Sequence, residues 1–315
     1  MILLKIPAGP SSAAPHIVLV FGVGLIGSSL VSHLQGVPEA SGERMAWSWT
    51  DAGQRALQAN LILQKASPDR AASRLSVVWS AGAGGFNSPP GVLENEFEAF
   101  SDALNLTRAL ADQKDWARAT FHLVSSAGGL FEGVRFVGAD TLPTGTRGYA
   151  LSKLRQEEEA EARLPASIGL HVYRPSSVYG YQRGGRVNLV SALVQNGYRH
   201  QTTTIFGRTN TLRDFIHVSD VGRKISDEVM HAREGRSCQI LASGKPSSML
   251  EVIQTVEAVI GKRLLLKFDT SPSNALDNSF RASVTGPVAE RIPLRRGIER
   301  TAEAWKWAEF LTLQN

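Results

Sequence analysis

The sequence is short of the residues that build disulfides and metal sites. Its 315 residues include a single cysteine, Cys238, which excludes an intramolecular disulfide and any multi-cysteine zinc site. Seven histidines are present, but none has a ligand spacing such as HxxxH, so we expect core or surface roles for them and no metal. The low cysteine content favours a reducing cytoplasm as the location of the protein.

Long apolar runs are also missing. The longest lie near His16–Phe21 and Leu264–Leu266, well below the roughly 18–20 residues that span a bilayer, so no membrane segment is expected. Residues 1–15 carry one lysine and a four-residue apolar patch, which is not the pattern of a secretory signal. Hydrophobic residues make up 43% and charged residues 20% of the chain, a balance that predicts a folded globular protein.

The net charge of +5 is concentrated in one stretch of the chain. Between Arg183 and Lys224 there are seven lysines or arginines and two aspartates, a local excess of five. This stretch lacks the interleaved aromatic residues and the basic helix stripe that follow a nucleic-acid backbone. We therefore expect a compact anion such as a diphosphate as the partner and no nucleic acid, with a solvated basic face as the alternative.

Apolar runs alternate with amphipathic segments in the first part of the chain, which predicts an α/β fold with a parallel sheet covered on both faces. The predicted strands are Ile2–Ile6, His16–Phe21, Met45–Trp49, Leu75–Trp79, Thr120–Val124 and Leu170–Tyr173. The predicted helices are Ile26–Leu34, Glu94–Ala111, Tyr149–Leu164 and Met249–Ile260. The helix that starts at Tyr149 is expected to carry a polar outer face made of Gln156, Glu157, Glu158, Glu159 and Glu161.

A glycine motif follows the second predicted strand and opens a helix. It reads Gly22-Val-Gly24-Leu25-Ile26-Gly27. Glycines at these positions let the backbone turn tightly and approach a pyrophosphate, which the helix N-terminus favours through its N–H groups and dipole. The motif predicts dinucleotide binding; the alternative is a turn that needs glycine only for close packing.

Together the elements and the motif predict a Rossmann-type, doubly wound parallel sheet. We place this domain at residues 1–175, with a segment near 214–236 returning to it, and a smaller α/β substrate domain at residues 176–315.

The acidic partner of such a motif is expected about 20 residues further along, at the end of the next strand. Asp51 follows the predicted strand Met45–Trp49 and would accept both ribose hydroxyls of NAD; Thr50 is the alternative at the strand end. Arg44 or Arg55 would instead receive the 2′-phosphate of NADP. We favour NAD, and NADP stays open.

A serine pair, Ser125-Ser126, ends the strand Thr120–Val124, and Tyr149 and Lys153 follow about 20 residues later. Residues four apart lie on one face of a helix. A free phenol has a pKa of about 10, and a nearby lysine cation lowers it, so the tyrosine can take a proton from a sugar hydroxyl. A serine at the end of the neighbouring strand can hydrogen-bond the same oxygen.

These motifs resemble the extended short-chain dehydrogenase/reductases, and more closely the NAD-dependent epimerase/dehydratase group typified by UDP-glucose 4-epimerase. The likeness runs from about His16 to Trp307. It includes Arg174-Pro-Ser-Ser-Val-Tyr-Gly180, and its most family-specific piece is Arg213-Asp-Phe-Ile-His-Val-Ser-Asp220.

The resemblance implies roles for individual residues. Tyr149 would be the acid/base, Lys153 would hold the nicotinamide ribose and tune Tyr149, Ser126 would bind the reacting sugar oxygen, and Arg213 would grip the nucleotide diphosphate. Further cofactor contacts would come from Ser80, Ala81, Gly82, Ser125, Arg174 and Ser176. Further substrate contacts would come from Gly84, Val178 and Phe206. Members of this family form homodimers through a four-helix bundle, to which Glu94–Ala111 and Tyr149–Leu164 would contribute.

The resemblance implies epimerisation of a nucleotide-activated sugar at C4 through a transient 4-keto intermediate, with NAD as cofactor. The sequence departs from the family at Gly22–Gly27, which is one residue shorter than the usual GxxGxxG, and at Ala127–Gly133, which is longer than usual. Ser126-Ala-Gly128 lacks the acidic pair of the 4,6-dehydratases, so dehydration is not expected. The alternatives are an NADP-dependent nucleotide-sugar 4-ketoreductase and a non-catalytic dinucleotide sensor on the same fold.

Overall fold

The structure is a computed structural model and divides into two compact units. It describes residues 1–8, 15–67, 73–82, 84–85, 88–113, 116–185, 187–269, 276–285 and 291–313. The first unit comprises Met1–Ser126, Thr146–Arg174 and Gly222–Gln239, and the second comprises Ala127–Gly145, Pro175–Val221 and Ile240–Asn315. The predicted domain limits, residues 1–175 and 176–315, stay a prediction. The two units differ from them in that residues 127–145 group with the second unit.

A seven-stranded sheet forms the centre of the first unit. Its strands are β1 (Ile2–Ile6), β2 (His16–Phe21), β3 (Ser41–Arg44), β4 (Ser73–Trp79), β5 (Trp116–Val124), β6 (Ile168–Pro175) and β10 (Arg236–Leu241), in the spatial order β10-β6-β5-β4-β2-β1-β3. Strands β2, β4, β5 and β6 pair in parallel. All six residues of β2 are buried, and because alternate residues point to opposite faces, both faces of the sheet are covered.

The predicted strand Met45–Trp49 is wrong. The position beside β2 is taken by β1, which pairs antiparallel with β2 from Ile2↔Val20 to Ile6↔His16 and antiparallel with β3 on its other side. Residues 45–49 form no strand, although Trp47 is buried against Phe21 with ring centroids 4.9 Å apart. Their apolar alternation thus reflects packing of an irregular segment on the core.

Where the structure describes the first unit, five helices belong wholly or mostly to it: α1 (Leu25–Gln35), α2 (Ala52–Lys65), α3 (Pro90–Ala111), α5 (Gly148–Arg163) and α7 (Val218–His231). The apolar face of α3, including Phe97, Phe100 and Leu104, packs on the sheet in one core cluster. The predicted outer face of α5 is only partly right. Gln156 and Glu157 are buried, whereas Glu158 and Glu161 are exposed.

Among its described residues, the second unit contains two small sheets and five helices. One sheet has the order β11-β9-β7 and the other pairs β8 with β12 in parallel. Its strands are β7 (Ser177–Tyr179), β8 (Thr202–Phe206), β9 (Leu212–His217), β11 (Pro246–Ser248) and β12 (Leu265–Asp269). Its helices are α4 (Ala127–Leu130), α6 (Leu189–Arg199), α8 (Met249–Ile260), α9 (Ala282–Thr285) and α10 (Leu294–Leu313).

The core of the second unit is formed where α6, α8 and α10 meet, with Leu193, Val256 and Ile298 at its centre. The helix predicted at Met249–Ile260 has the predicted bounds. In the described parts of both units, no helix is at once long enough and apolar enough to cross a membrane.

Candidate cofactor and catalytic site

The glycine turn after β2 is shaped by a close approach to the segment that follows β4. Gly22 has φ +81°, a left-handed conformation that side chains rarely adopt, and a Cβ at this position would collide with the backbone of Ala81. A Cβ on Gly24, by contrast, would meet no described atom within 4 Å. The turn is therefore closed on the side of β4 and open at Gly24.

The open side of the turn leads to the N-terminus of α1. Gly24 is the N-cap residue and no side chain caps the helix. The first helical hydrogen bond runs from the Ser28 N–H to the Gly24 carbonyl (2.8 Å), so the N–H groups of Leu25, Ile26 and Gly27 precede the helical ladder. This cradle suits the pyrophosphate of a dinucleotide, because helix N-termini favour anions.

The residues after β4 support the turn. The Ser80 hydroxyl donates to the Gly22 carbonyl (2.7 Å), and the Ser80 N–H donates to the Phe21 carbonyl (2.9 Å). Ala81 is the residue against which Gly22 packs. Gly82 is exposed, and a Cβ there would lie 3.8 Å from the Nζ of Lys153. Two of the predicted cofactor residues, Ser80 and Ala81, thus shape the turn.

The predicted ribose residues lie outside the sheet. Asp51 is exposed and is the N-cap of α2, where its carboxylate accepts a hydrogen bond from the Gln54 N–H (2.9 Å). Thr50 is exposed beside it. Neither ends a strand, because β1 occupies the place of the strand that was predicted before them.

The two arginines considered for a 2′-phosphate differ in burial and in the groups around them. Arg55 is buried, and its Nε donates to the carboxylate of Asp102 on α3 (2.6 Å), so it holds two helices together. Arg44 is exposed and ends β3. It lines a cleft of about 280 Å³ together with Val23 of the glycine turn and Ser28, which follows the turn directly.

Helix α5 brings Tyr149 and Lys153 to one face. The Lys153 Nζ lies 5.9 Å from the centroid of the Tyr149 ring. Tyr149 is half-buried and Lys153 is 3% exposed. Gly84, from the segment after β4, borders the same place, since a Cβ there would lie 3.8 Å from Cδ2 of Tyr149.

Lys153 is held by Glu96, which the sequence analysis did not name, and by Gln156, which it placed on the outer face of the helix. Its Nζ donates to the Glu96 carboxylate (2.9 Å) and to the Gln156 side-chain oxygen (3.1 Å). Burial alone would lower the pKa of the ammonium, but the Glu96 carboxylate, with Tyr149 and Glu157, raises it above its ordinary value. Lys153 is therefore a cation at neutral pH.

Glu96 is itself anchored on three sides. Besides Lys153 it accepts a hydrogen bond from the Gln156 side-chain amide (3.0 Å) and another from the Gly84 N–H (3.1 Å). Burial acts to raise the pKa of this carboxyl, but Lys153 and the hydrogen bonds hold it below its ordinary value. The result is a buried ion pair beside Tyr149.

The serine pair lies at the end of β5 as predicted. The Ser125 N–H donates to the Tyr173 carbonyl of β6 (2.7 Å), which fixes the backbone there. The Ser125 hydroxyl is buried and has no hydrogen-bond partner among the described residues. Ser126 is 9% exposed.

Arg174 at the end of β6 forms a two-pronged ion pair with Glu157 of α5. Its Nε and one terminal nitrogen lie 3.0 and 2.5 Å from the two carboxylate oxygens. Burial acts to lower the pKa of Arg174, but Glu157 raises it. This pair fastens the helix that carries Tyr149 to the sheet, so Arg174 has a structural task besides any contact with a cofactor.

The remaining predicted residues lie in the second unit. The Ser176 hydroxyl donates to the buried Asp214 carboxylate (2.8 Å), which also accepts from the Ser243 N–H (2.7 Å). Arg213 is half-buried on β9, and its backbone forms an isolated parallel β-bridge with Asn278. The other two are Val178 on β7, half-buried opposite Ile216, and Phe206 at the end of β8, which is 41% exposed.

The sequence analysis gave no site role to Glu96, Gln156 or Asp214. For Glu96 a signal existed: it lies at helical spacing with the buried Phe100 and Ala103, so an acidic residue occupies the apolar face of α3. A charge in that stripe needs a buried partner. No cluster of three metal-binding side chains occurs in the residues that the structure describes.

A family model decides the membership. The model described as the NAD dependent epimerase/dehydratase family matches residues 18–241, well over half of the chain. The chain belongs to the NAD dependent epimerase/dehydratase family. The predicted family, the enzyme class and the NAD cofactor are thereby confirmed at the level of the family.

A curated protein and two solved structures are similar to this family member. A Methanocaldococcus jannaschii protein, provisionally named a UDP-glucose 4-epimerase, is 27% identical over 166 residues, which cover 50% of this chain and 53% of that protein. The chain thus spans about half the length of this curated relative.

The structures are a Thermus thermophilus UDP-glucose 4-epimerase with NAD (17% identity, TM-score 0.71) and a Bacillus cereus UDP-glucuronic acid 4-epimerase with UDP-glucuronic acid and NAD (18%, 0.71). Each comparison covers 92% of this chain, with 98% and 99% of the other chain. At these identities the likeness shows the fold, and it confirms the Rossmann-type α/β architecture predicted from the sequence.

Proposed function

We propose that this family member is an NAD-dependent epimerase that inverts C4 of a nucleotide-activated sugar through a transient 4-keto intermediate. One observation carries the proposal: Tyr149 lies beside a buried lysine cation in the same unit as an open glycine cradle at a helix N-terminus. A phenol beside a fixed cation is suited to proton transfer, and the cradle is suited to a pyrophosphate.

The glycine cradle fits the cofactor of this family. The backbone of Gly22 and the N–H groups of Leu25 to Gly27 would hold the pyrophosphate, Asp51 or Thr50 the adenosine ribose, and Lys153 the nicotinamide ribose. The chemistry that bound NAD supplies is the reversible acceptance of hydride.

The chain's own residues move the proton. Tyr149 takes the proton of the C4 hydroxyl and returns one to the same oxygen after the ketone has turned. The Lys153 ammonium stabilises the phenolate, and Ser126 donates a hydrogen bond to the sugar oxygen. In the second unit, Arg213 is proposed to bind the diphosphate, because a guanidinium matches phosphate oxygens in two-pronged geometry.

The test uses turnover without added cofactor. UDP-glucose, UDP-glucuronic acid and other nucleotide hexoses are incubated with the purified protein, and NMR follows the configuration at C4. We expect inversion with NAD retained in catalytic amount, because an epimerase returns the hydride to the same substrate. Failure to invert any of them would count against the proposal.

Homodimerisation through α3 and α5 and a cytoplasmic location stay predictions.

One observation favours a second candidate, an NADP-dependent 4-ketoreductase. Arg44 ends β3 in the cleft beside the glycine turn, while the Asp51 carboxylate caps α2. A guanidinium there suits a 2′-phosphate. Stoichiometric oxidation of NADPH by a 4-keto nucleotide sugar, without C4 inversion in the first test, would select this candidate.

A further inference from the structure

The carboxylate of Glu96 is buried in direct contact with the lysine of the proposed reaction. The side chains of Glu96 and Lys153 are each 4% exposed, and 2.9 Å separates carboxylate oxygen and Nζ. Glu96 comes from α3 and Lys153 from α5, so the contact joins two helices. A buried pair of this kind loses much free energy of solvation, and its presence beside Tyr149 calls for a reason other than stability.

Among the described residues, Glu157 is the other carboxylate that raises the pKa of Lys153. Glu157 on α5 is engaged by Arg174 of β6, and Cys238 of β10 is within electrostatic reach of that pair. From the segment after β4, Gly82 and Gly84 approach with backbone only. Within the described residues, Glu96 is the one carboxylate that hydrogen-bonds to Nζ.

The hydrogen bonds of the ammonium limit what else it can hold. A lysine ammonium has three N–H groups. Glu96 and Gln156 accept two of them, which leaves one for a ribose hydroxyl. Glu96 is in turn fixed by the Gly84 N–H, so the direction of Nζ is set before a cofactor binds.

We infer that Glu96 is a positioning residue: it fixes the Lys153 ammonium and offsets part of its charge, and so sets the pH at which Tyr149 gives up and takes protons. A lone ammonium near a phenol favours the phenolate strongly, whereas an ammonium paired with a carboxylate presents a weaker positive potential. Glu96 thereby raises the pH range in which the phenolate forms. The inference rests on the acid/base role proposed for Tyr149.

The experiment is Glu96→Gln, which keeps the shape of the side chain and removes its charge. The ionisation of Tyr149 is followed in the cofactor-free protein by ultraviolet difference absorbance, with Tyr149→Phe in each background subtracted. Lys153 keeps its hydrogen bond to the Gln156 oxygen and the support of Tyr149 and Glu157, so it stays an ammonium when Glu96 is replaced. We therefore expect the Tyr149 step to appear about one pH unit lower in Glu96→Gln than in the wild type. The midpoint of the pH profile of kcat/KM should move by a similar amount. A step at the same or a higher pH overturns the inference.

Glu94→Gln is the matched control. Glu94 is an exposed carboxylate on the same helix, paired with Arg155 at 2.7 Å. Solvent screens its charge, so the Tyr149 step should stay at the wild-type pH. A shift as large as that of Glu96→Gln would show a general charge effect and contradict the assignment to Glu96.

If Glu96→Gln does not fold, Glu96→Asp gives the second measurement. The shorter side chain draws the carboxylate away from Nζ, so a smaller shift in the same direction is expected, and no shift or an upward one overturns the inference. The absorbance readout is independent of turnover. A shifted step in a protein that inverts no sugar would therefore defeat the proposed function alone, and inversion without a shift would defeat the role of Glu96 alone.

Discussion

Single residues carry the chemistry proposed for this protein, and their chemical state depends on their neighbours. The Tyr149 ring lies 5.9 Å from the Lys153 Nζ, and that cation is buried with Glu96. A tyrosine four residues before a lysine on an exposed helix would have no such environment. The combination of half-buried phenol and buried ammonium is what suits Tyr149 to proton transfer.

Tyr149→Phe removes one oxygen from this arrangement. We expect the fold and NAD binding to persist, while turnover falls by at least about 10²-fold, the low end for a positioned acid/base. Turnover is measured by NMR and NAD affinity by calorimetry. The control is Tyr198→Phe, since Tyr198 stacks on Trp305 in the second unit. Near-normal turnover in Tyr149→Phe would show that the proton takes another route.

Arg213→Ala tests the diphosphate contact. Loss of a charge-assisted hydrogen bond costs about 1.5–3 kcal/mol, so nucleotide-sugar binding should weaken roughly ten- to a hundredfold while NAD affinity stays the same. Arg213→Lys should rescue only part of the binding because it lacks the planar fork. The exposed Arg208 supplies a control variant, Arg208→Ala. A parallel fall in NAD affinity would assign Arg213 to the fold instead.

At the scale of elements, the two first glycines of the turn between β2 and α1 serve different purposes: one serves the fold and the other leaves a surface open. Gly22 serves the fold, because its φ is +81° and its Cα faces the Ala81 backbone. Gly24 faces open space, so its lack of a side chain serves something other than the described protein atoms. The two glycines should therefore respond differently to the same substitution.

Gly22→Ala and Gly24→Ala make this contrast measurable. Gly22→Ala should lower the free energy of unfolding by more than about 1 kcal/mol, from backbone strain and collision. Gly24→Ala should unfold much like the wild type yet bind NAD more weakly. Gly91→Ala, in the first turn of α3 with no neighbour near its Cβ, is the control: it should leave NAD affinity unchanged and should not destabilise the fold, because alanine favours the helix. Urea unfolding and calorimetry check these results; equal NAD affinity in Gly24→Ala and the wild type would contradict the cradle.

The sequence predicts those elements that follow from the pattern of their own residues, and it fails where distant parts of the chain decide the outcome. The buried runs at β2, β4, β5 and β6 and the helices α3, α5 and α8 follow from periodicity, and they were predicted with small errors at the ends. The segment 45–49 was mistaken for a strand because the outcome depends on β1, which competes for the place beside β2. The contact of Glu96 with Lys153 likewise joins residues 57 positions apart, which no local pattern shows.

At the scale of the whole molecule, buried histidines tie stability to pH. In the first unit, His16 Nε2 bonds to Ser76, Ser76 to Thr120, Thr120 to His122, and His122 to Tyr173, with neighbouring atoms 2.7–3.0 Å apart. Burial lowers the pKa of His16 to about 3 and that of His122 well below its ordinary value. In the second unit, burial lowers the pKa of His217 to about 4. All three are neutral in the folded protein at neutral pH.

These histidines predict a loss of stability in mild acid. An unfolded histidine has a pKa of about 6.5, so below that pH the unfolded chain binds protons that the folded chain excludes. The contribution of these histidines to the free energy of unfolding is thus fully present above about pH 6.5. It falls as the pH drops towards the pKa values that they have in the folded protein. The slope is up to about 1.4 kcal/mol per pH unit for each histidine. Urea unfolding between pH 7 and 5 measures this slope, before the carboxylates titrate.

His16→Gln should reduce this slope, whereas His231→Gln, at an exposed position, should leave it unchanged. A slope in His16→Gln equal to that of the wild type would show that His16 does not carry the effect.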